Sequence, residues 1–282
     1  MKLIVTLFAV CFAGCCCRYP PEQFRMRQPP VWTTASTQPA RGVFVVVHGL
    51  NQKPSGMDSL SSYLASLGYN TLRLSLEGHD AATDASFPAE AWVEDVHSGL
   101  RAARSAYPKL PVFVLGYSMG GLLAVRAIEE RPDEAPAKVV LVAPAIGLRT
   151  AVQAAKLLAA ILPDGLRTPN LAPAKLRRFD STPVFWYSNF SEIYDLTREP
   201  AQAARLRGTP ALVILNPGDE LISEESVEEW IAANQLSKLW HVELVHPQAT
   251  DPDSREHVII DQESLGEAEW LRMQELIRGF LQ

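Results

Sequence analysis

Attack on a carbonyl carbon needs a nucleophile, a base to take its proton and an acid to orient that base. A serine for the first role stands in Gly116-Tyr117-Ser118-Met119-Gly120, directly after the apolar run Val112 to Leu115 and directly before a helix-forming run through Leu122, Leu123 and Ala124. A strand, a Gly-X-Ser-X-Gly turn and a helix in that order form the context in which the motif carries chemistry. The chain must reverse within a few residues, which strains the serine backbone. Gly116 and Gly120 lack the Cβ atoms that would collide there. The hydroxyl is thus held at the C-terminal end of the strand, facing the N–H groups that open the helix.

The acid candidate is Asp219, in the run from Leu215 to Ile222, where Pro217-Gly218 supplies a turn after an apolar strand. Glu220 is its competitor, although adjacent residues after a strand tend to point apart. Six histidines could serve as the base: His48, His79, His97, His241, His246 and His257. His48 precedes Gly49 and belongs to another part of the site. His79 lies in a loop, His97 on a helix face with solvated spacing, and His241 inside a strand. His246 ends the last strand but is restricted by Pro247. His257, on the following loop, can swing over the sheet toward Ser118 and is favoured, with His246 as the alternative. Two backbone donors are needed for the developing oxyanion. Met119 supplies one N–H and Leu50 the other, Gly49 permitting close approach.

These side chains need a scaffold, and the chain alternates strands with helices. Strands are expected at Gly42–Val47, Tyr69–Leu74, Val112–Leu115, Val139–Val142, Ala211–Leu215 and Leu239–Val245. Helices are expected at Met57–Leu67, Ala89–Ala106, after Ser118, and at Ser223–Asn234 and Leu265–Leu281. The fold class is α/β, a mostly parallel sheet with helices on both faces. From about 145 to 207 the rhythm breaks. A helix is expected at Ala151–Leu162, and Phe179, Phe185, Trp186, Tyr187, Phe190 and Tyr194 cluster nearby, which reads as a cap over the strand ends.

The chain has 282 residues, 47% of them hydrophobic, and a formal charge of -6, with no basic stripe suited to nucleic acid. All four cysteines, Cys11, Cys15, Cys16 and Cys17, fall at the start, so the body has neither disulfide nor thiolate chemistry. Lys2, the apolar run Leu3–Ala13 and small residues before Cys15 have the pattern of an export signal. Phe12-Ala13-Gly14-Cys15 resembles a bacterial lipoprotein signal, which implies lipidation of Cys15, with Cys16 as the other candidate. The expected organisation is a signal over 1–15, a Pro-, Gln- and Thr-rich tether over 16–40 that holds at most one short edge strand, and a globular domain over 41–282. The protein would then be exported and lipid-anchored to a cell-envelope membrane, or be soluble outside the cytoplasm if the anchor is absent.

Together the Ser118 turn, His48-Gly49-Leu50, Asp219-Glu220-Leu221-Ile222 and the loop from His257 to Asp261 resemble the α/β-hydrolase family. Within it they resemble the serine hydrolases related to monoacylglycerol lipases and lysophospholipases. The resemblance spans Arg41 to Gln282 and is weakest in the cap. It implies an α/β-hydrolase fold with a helical cap insertion, a pocket between body and cap, and hydrolysis of a small-molecule acyl ester through an acyl group on Ser118. It implies no metal or organic cofactor, and no obligate protein partner is inferred from the sequence. The interval from Asp219 to His257 is longer than in many members, which keeps His246 in play. The same residues would serve a peptidase, amidase or thioesterase, since all pass through one kind of tetrahedral intermediate. A non-catalytic binding protein on the same scaffold is the remaining alternative.

Overall fold

The computed structural model describes residues 29–79, 87–150, 152, 167–169, 179–181, 184–248 and 256–282. The export signal with Cys15, most of the tether and all of the expected helix at 151–162 except Val152 lie outside these residues. Among the described residues, no helix is long and apolar enough to cross a membrane.

The sheet grows from β-branched and aliphatic runs. In chain order the elements are β1 (Val31–Thr33), β2 (Gly42–Val47), α1 (Asp58–Ser66), β3 (Tyr69–Arg73), α2 (Ala89–Ala106), β4 (Val112–Tyr117), α3 (Met119–Glu130) and β5 (Val139–Val142). The cap interval contributes β6 (Arg167–Pro169), β7 (Val184–Trp186), α4 (Tyr187–Arg198) and α5 (Ala203–Leu206). The body resumes with β8 (Ala211–Leu215), α6 (Glu224–Ala233), β9 (Trp240–Leu244), α7 (Gln262–Leu265) and α8 (Glu267–Leu281). Every residue of β2, β4, β5 and β8 is buried, as expected for strands covered on both faces.

Seven strands pair in the order β1-β3-β2-β4-β5-β8-β9. All neighbours are parallel except β1, which runs antiparallel to β3. That edge strand is the short one allowed for in the tether. From β2 the chain steps outward to β3, then returns across β2 to β4. Right-handed crossovers therefore put α1 and α2 on opposite faces. The Tyr63 hydroxyl of α1 donates to the Gln274 carbonyl of α8, so these two helices share a face. The reversal of direction lies between β2 and β4, and it opens a crevice beyond the C-terminal ends of those strands. The turns after β2 and β4 are the two that carry Leu50 and Ser118.

Two local expectations change. The last helix is interrupted at Gly266, whose φ of +82° ends α7 and starts α8. Asp261 caps α7 by accepting the Ser264 N–H at 2.8 Å while the Ser264 hydroxyl accepts the Asp261 N–H at 3.2 Å. His97, expected on a solvated helix face, is fully buried, with Nε2 3.2 Å from Glu130. Helix α2 packs against α3 as well as against the sheet, so two of its faces are covered.

Candidate active site

Ser118 sits between β4 and α3 with φ 52° and ψ −118°, a conformation that costs a non-glycine residue about 1–3 kcal/mol. The surroundings hold it there. Its N–H donates to the Val142 carbonyl at 2.9 Å, and its carbonyl accepts the Gly121 and Ala145 N–H groups, each at 3.0 Å. A Cβ on Gly116 would lie 2.5 Å from the Gly120 carbonyl oxygen, and one on Gly120 would strike the Val47 and His48 carbonyl oxygens. Both glycines are therefore required by the close approach of backbone to backbone.

The structure brings Ser118, His257 and Asp219 into one line. His257 Nε2 is 2.8 Å from Ser118 Oγ, and His257 Nδ1 is 2.7 Å from Asp219 Oδ2. Asp219 is buried, and its Oδ1 accepts the N–H groups of Leu221 and Ile222 at 2.8 and 2.9 Å. With an acceptor-only carboxylate facing Nδ1, the proton belongs on Nδ1, which leaves Nε2 as acceptor for the serine hydroxyl. His246 takes no part in this line. It is exposed, and its N–H donates to Glu269 Oε2 at 2.8 Å. Pro247 and the start of α8 keep that residue at the periphery.

Asp219 and Glu220 do not point apart in the simple sense expected. Both reach His257, at different atoms: Glu220 Oε2 accepts the His257 backbone N–H at 2.9 Å. The Tyr117 hydroxyl donates to the His257 carbonyl at 3.1 Å. Burial, with Asp219 and Glu220 nearby, pushes the Tyr117 phenol well above its ordinary value, so it remains a donor.

The turn after β2 is braced from within. His48 Nδ1 lies 2.8 Å from the Gly49 carbonyl, while its Nε2 accepts the Leu76 N–H at 3.2 Å. Burial, reinforced by the His79 ring at 4.9 Å, holds His48 well below the usual histidine range, so the ring stays neutral and can make both bonds. Anchoring the Gly49 carbonyl directs the N–H of the same peptide, that of Leu50, the opposite way. Gln52 Oε1 accepts the Gly49 N–H at 2.7 Å and closes the turn.

Two stretches of the cap interval are stitched to these loops by backbone. The Lys53 N–H donates to Phe179 at 2.6 Å and the Ser181 N–H to Asn51 at 2.9 Å, flanking an antiparallel bridge between Gln52 and Asp180. At the other side the Arg149 N–H donates to Leu221 at 2.9 Å and the Ser223 N–H to Gly147 at 2.8 Å, flanking a bridge between Leu148 and Ile222. The Arg149 guanidinium also donates to the Asp219 and Pro217 carbonyls. At the exit of the cap, Arg126 of α3 pairs with Glu129 at 2.6 Å, both buried, and donates to the Leu196 and Glu199 carbonyls.

Between body and cap lies a cavity of about 290 Å³, with Ser118, His257, Leu50 and Met119 on its wall. Leu148, Val152, Phe179, Phe190, Ile193 and Val258 make it largely apolar, while Asp180 and Glu220 add carboxylates. Of the aromatics singled out in the sequence, Phe179 and Phe190 reach the cavity; the side chains of Phe185, Trp186 and Tyr187 lie outside the described residues. The brace from Gln52 and the contacts of Tyr117, Glu220 and Arg149 are not legible in sequence. Their only signal is adjacency to the motifs, Tyr117 beside Ser118 and Glu220 beside Asp219. Chemically, the arrangement can withdraw a proton from a serine hydroxyl beside an apolar pocket.

Known proteins resemble this chain in sequence and in fold. Phospholipase YtpA of Bacillus subtilis (strain 168) is 25% identical over 264 residues, covering 82% of this chain and 99% of the relative. The monoglyceride lipase of Rattus norvegicus is 28% identical over 141 residues, 47% of this chain and 46% of the relative. Among solved structures, a soluble variant of monoglyceride lipase from Saccharomyces cerevisiae superposes with a TM-score of 0.67 at 15% identity, covering 89% of this chain and 91% of that one. A metagenome-derived lipolytic enzyme gives the same TM-score at 21% identity, covering 89% and 97%. The fold is that of the α/β-hydrolases. A family profile described as serine aminopeptidase, S33, matches residues 38–238, and the chain belongs to that hydrolase family.

Proposed function

We propose that this protein is a serine hydrolase that cleaves the carboxylic ester of a small acyl lipid, a monoacylglycerol or lysophospholipid, through an acyl group on Ser118. The observation that carries this reading is the 2.8 Å contact of Ser118 Oγ with His257 Nε2 at the wall of an apolar cavity. In the reaction, Nε2 takes the hydroxyl proton as Oγ bonds to the ester carbon, and Asp219 steadies the resulting imidazolium. The N–H groups of Leu50 and Met119 receive the oxyanion, a contribution of about 10²–10³ in turnover for each donor. The imidazolium then protonates the departing alkoxide as the C–O bond breaks. Water repeats the sequence on the acyl-serine, releasing the acid. The relatives named for phospholipase and monoglyceride lipase activity support the substrate class.

The test is labelling by a fluorophosphonate probe, followed by an ester panel of increasing acyl length. Wild type should label and hydrolyse, and Ser118→Ala should do neither. Folded wild type that neither labels nor turns over any ester would sink the reading and favour a binding protein. A second reading, an aminopeptidase or amidase using the same residues, draws on Asp180 and Glu220 at the cavity, whose charge suits a free amine. Cleavage of a peptide panel with refusal of esters would select it. Export and lipid anchoring through Cys15 complete the proposal. Metabolic incorporation of a labelled fatty acid, abolished by Cys15→Ser, is the expected result.

A further inference from the structure

His257 stands between β9 and α7, outside both elements, so no strand or helix ladder fixes its backbone. An imidazole there must nevertheless stay within hydrogen-bond reach of a hydroxyl on another loop. Its peptide polar groups need partners as well, because His257 is buried. Both partners come from residues adjacent to the other two members of the line. Glu220, next to Asp219, accepts the His257 N–H at 2.9 Å, and the hydroxyl of Tyr117, next to Ser118, donates to the His257 carbonyl at 3.1 Å. The Tyr117 ring also lies against the imidazole, with centroids 5.3 Å apart.

From this arrangement we infer that Glu220, assisted by Tyr117, is a positioning residue that holds the His257 main chain so that the imidazole stays in register with Ser118. The inference rests on the ester-hydrolase reading above. An ionised acceptor on a backbone N–H makes a bond roughly twice as strong as a neutral one. Together the two contacts fix both ends of the His257 residue, while Asp219 fixes its ring. The stretch carrying His257 is thereby tied to each of the other two by more than the proton-transfer line itself. A displacement of about 1 Å at a catalytic group can cost on the order of 10² in rate, which sets the scale of the expected effect. Glu220 also borders the cavity, so a direct substrate contact is the competing role, and it makes a different kinetic prediction.

The experiment compares Glu220→Ala, Glu220→Gln and Tyr117→Phe with wild type on a soluble nitrophenyl ester, reading kcat, KM, fluorophosphonate labelling rate and thermal midpoint. Glu220 is exposed at the surface, so its variants should fold. Positioning predicts that Glu220→Ala lowers kcat and labelling rate by about 10- to 100-fold, with KM within about twofold and the midpoint nearly unchanged. Glu220→Gln, which keeps an oxygen acceptor, should recover most of that loss. Tyr117→Phe should lower kcat by a smaller factor, again with KM held. Glu220→Ala at wild-type kcat would overturn the inference, as would a change confined to KM, or a Gln variant as impaired as the Ala one. Wild type that shows no labelling and no ester turnover defeats the functional reading instead, so the two failures are distinct.

Discussion

Replacement of Asp219 by asparagine is the sharpest test of the site, because the structure dictates which way the amide must face. Asp219 Oδ1 accepts two main-chain N–H groups, from Leu221 and Ile222, while Oδ2 faces His257 Nδ1. An asparagine turned with its NH2 toward the loop would set a donor against two buried donors, at about 1–3 kcal/mol for each group left unsatisfied. The favoured rotamer therefore keeps oxygen on the loop and presents NH2 to His257. Nδ1 must then accept, the ring proton moves to Nε2, and Nε2 no longer accepts the Ser118 hydroxyl. The expected loss in kcat is on the order of 10⁴, or about 5.5 kcal/mol of barrier. The loop bonds survive, so the thermal midpoint should stay within a few degrees. Stopped assays on a soluble ester, paired with calorimetry, read both quantities. An Asp219→Asn enzyme retaining a tenth of wild-type kcat would refute the tautomer argument, and one that unfolds would refute the rotamer argument.

Further outcomes bear on the base, the buried charges and the turn. His257→Ala should abolish ester turnover, while His246→Ala, exposed and bonded through its backbone to Glu269, should remain within about twofold of wild type in the same assay. Glu129→Gln should destabilise by about 3–5 kcal/mol in denaturant titrations, since Arg126 would keep a buried charge without its counter-ion; a change below 1 kcal/mol would contradict this. Burial raises the Asp95 carboxyl to about 7, above its unfolded value, so the native state holds the extra proton between roughly pH 4 and 7, and stability falls as pH rises through that window. Asp95→Asn, which keeps an acceptor for the Glu77 N–H, should therefore raise the thermal midpoint by several degrees near pH 8 and by much less near pH 5. An equal shift at both pH values would defeat that assignment. Gly120→Ala should cost about 1–3 kcal/mol through collision with the Val47 and His48 carbonyls, read as a lowered midpoint.

Much of the body was legible because its signals are local. Buried parallel strands such as Gly42–Val47 and Val139–Val142 read as unbroken β-branched runs, and α2 shows helical spacing over its whole length. The candidate site was legible because the turn at Ser118 and the Asp219 turn each carry their own glycine chemistry. What sequence could not show depends on contacts across long separations. His97 is buried because α3 covers its helix on a second side, and no periodicity in α2 alone reports a neighbour. The preference for His257 over His246 depends on His257 reaching Ser118 and Asp219 across long sequence separations. Glu220 looked like a rival acid because sequence adjacency cannot tell a bond to an imidazole from a bond to the same residue's main chain. Gln52 and Arg149 brace the site through carbonyls and N–H groups, which leave no mark on residue type.

The bridges of 51–53 to 179–181 and of 147–149 to 221–223 bear on how such enzymes acquire new specificities. Both joints are paired through main chain, and side chains of Asn51, Gln52, Arg149 and Ser181 add bonds beside that pairing, so these four positions are the ones where a change of residue type would loosen a joint. Recombining the cap interval of one relative with the sheet-and-helix body of another should therefore succeed only when the crossover points leave both paired stretches with the body. A graft cut at 150 and 178 would keep both seams native, whereas one cut at 145 and 207 would replace the stretches 147–149 and 179–181 that pair with the turn of Asp219 and the turn of Leu50.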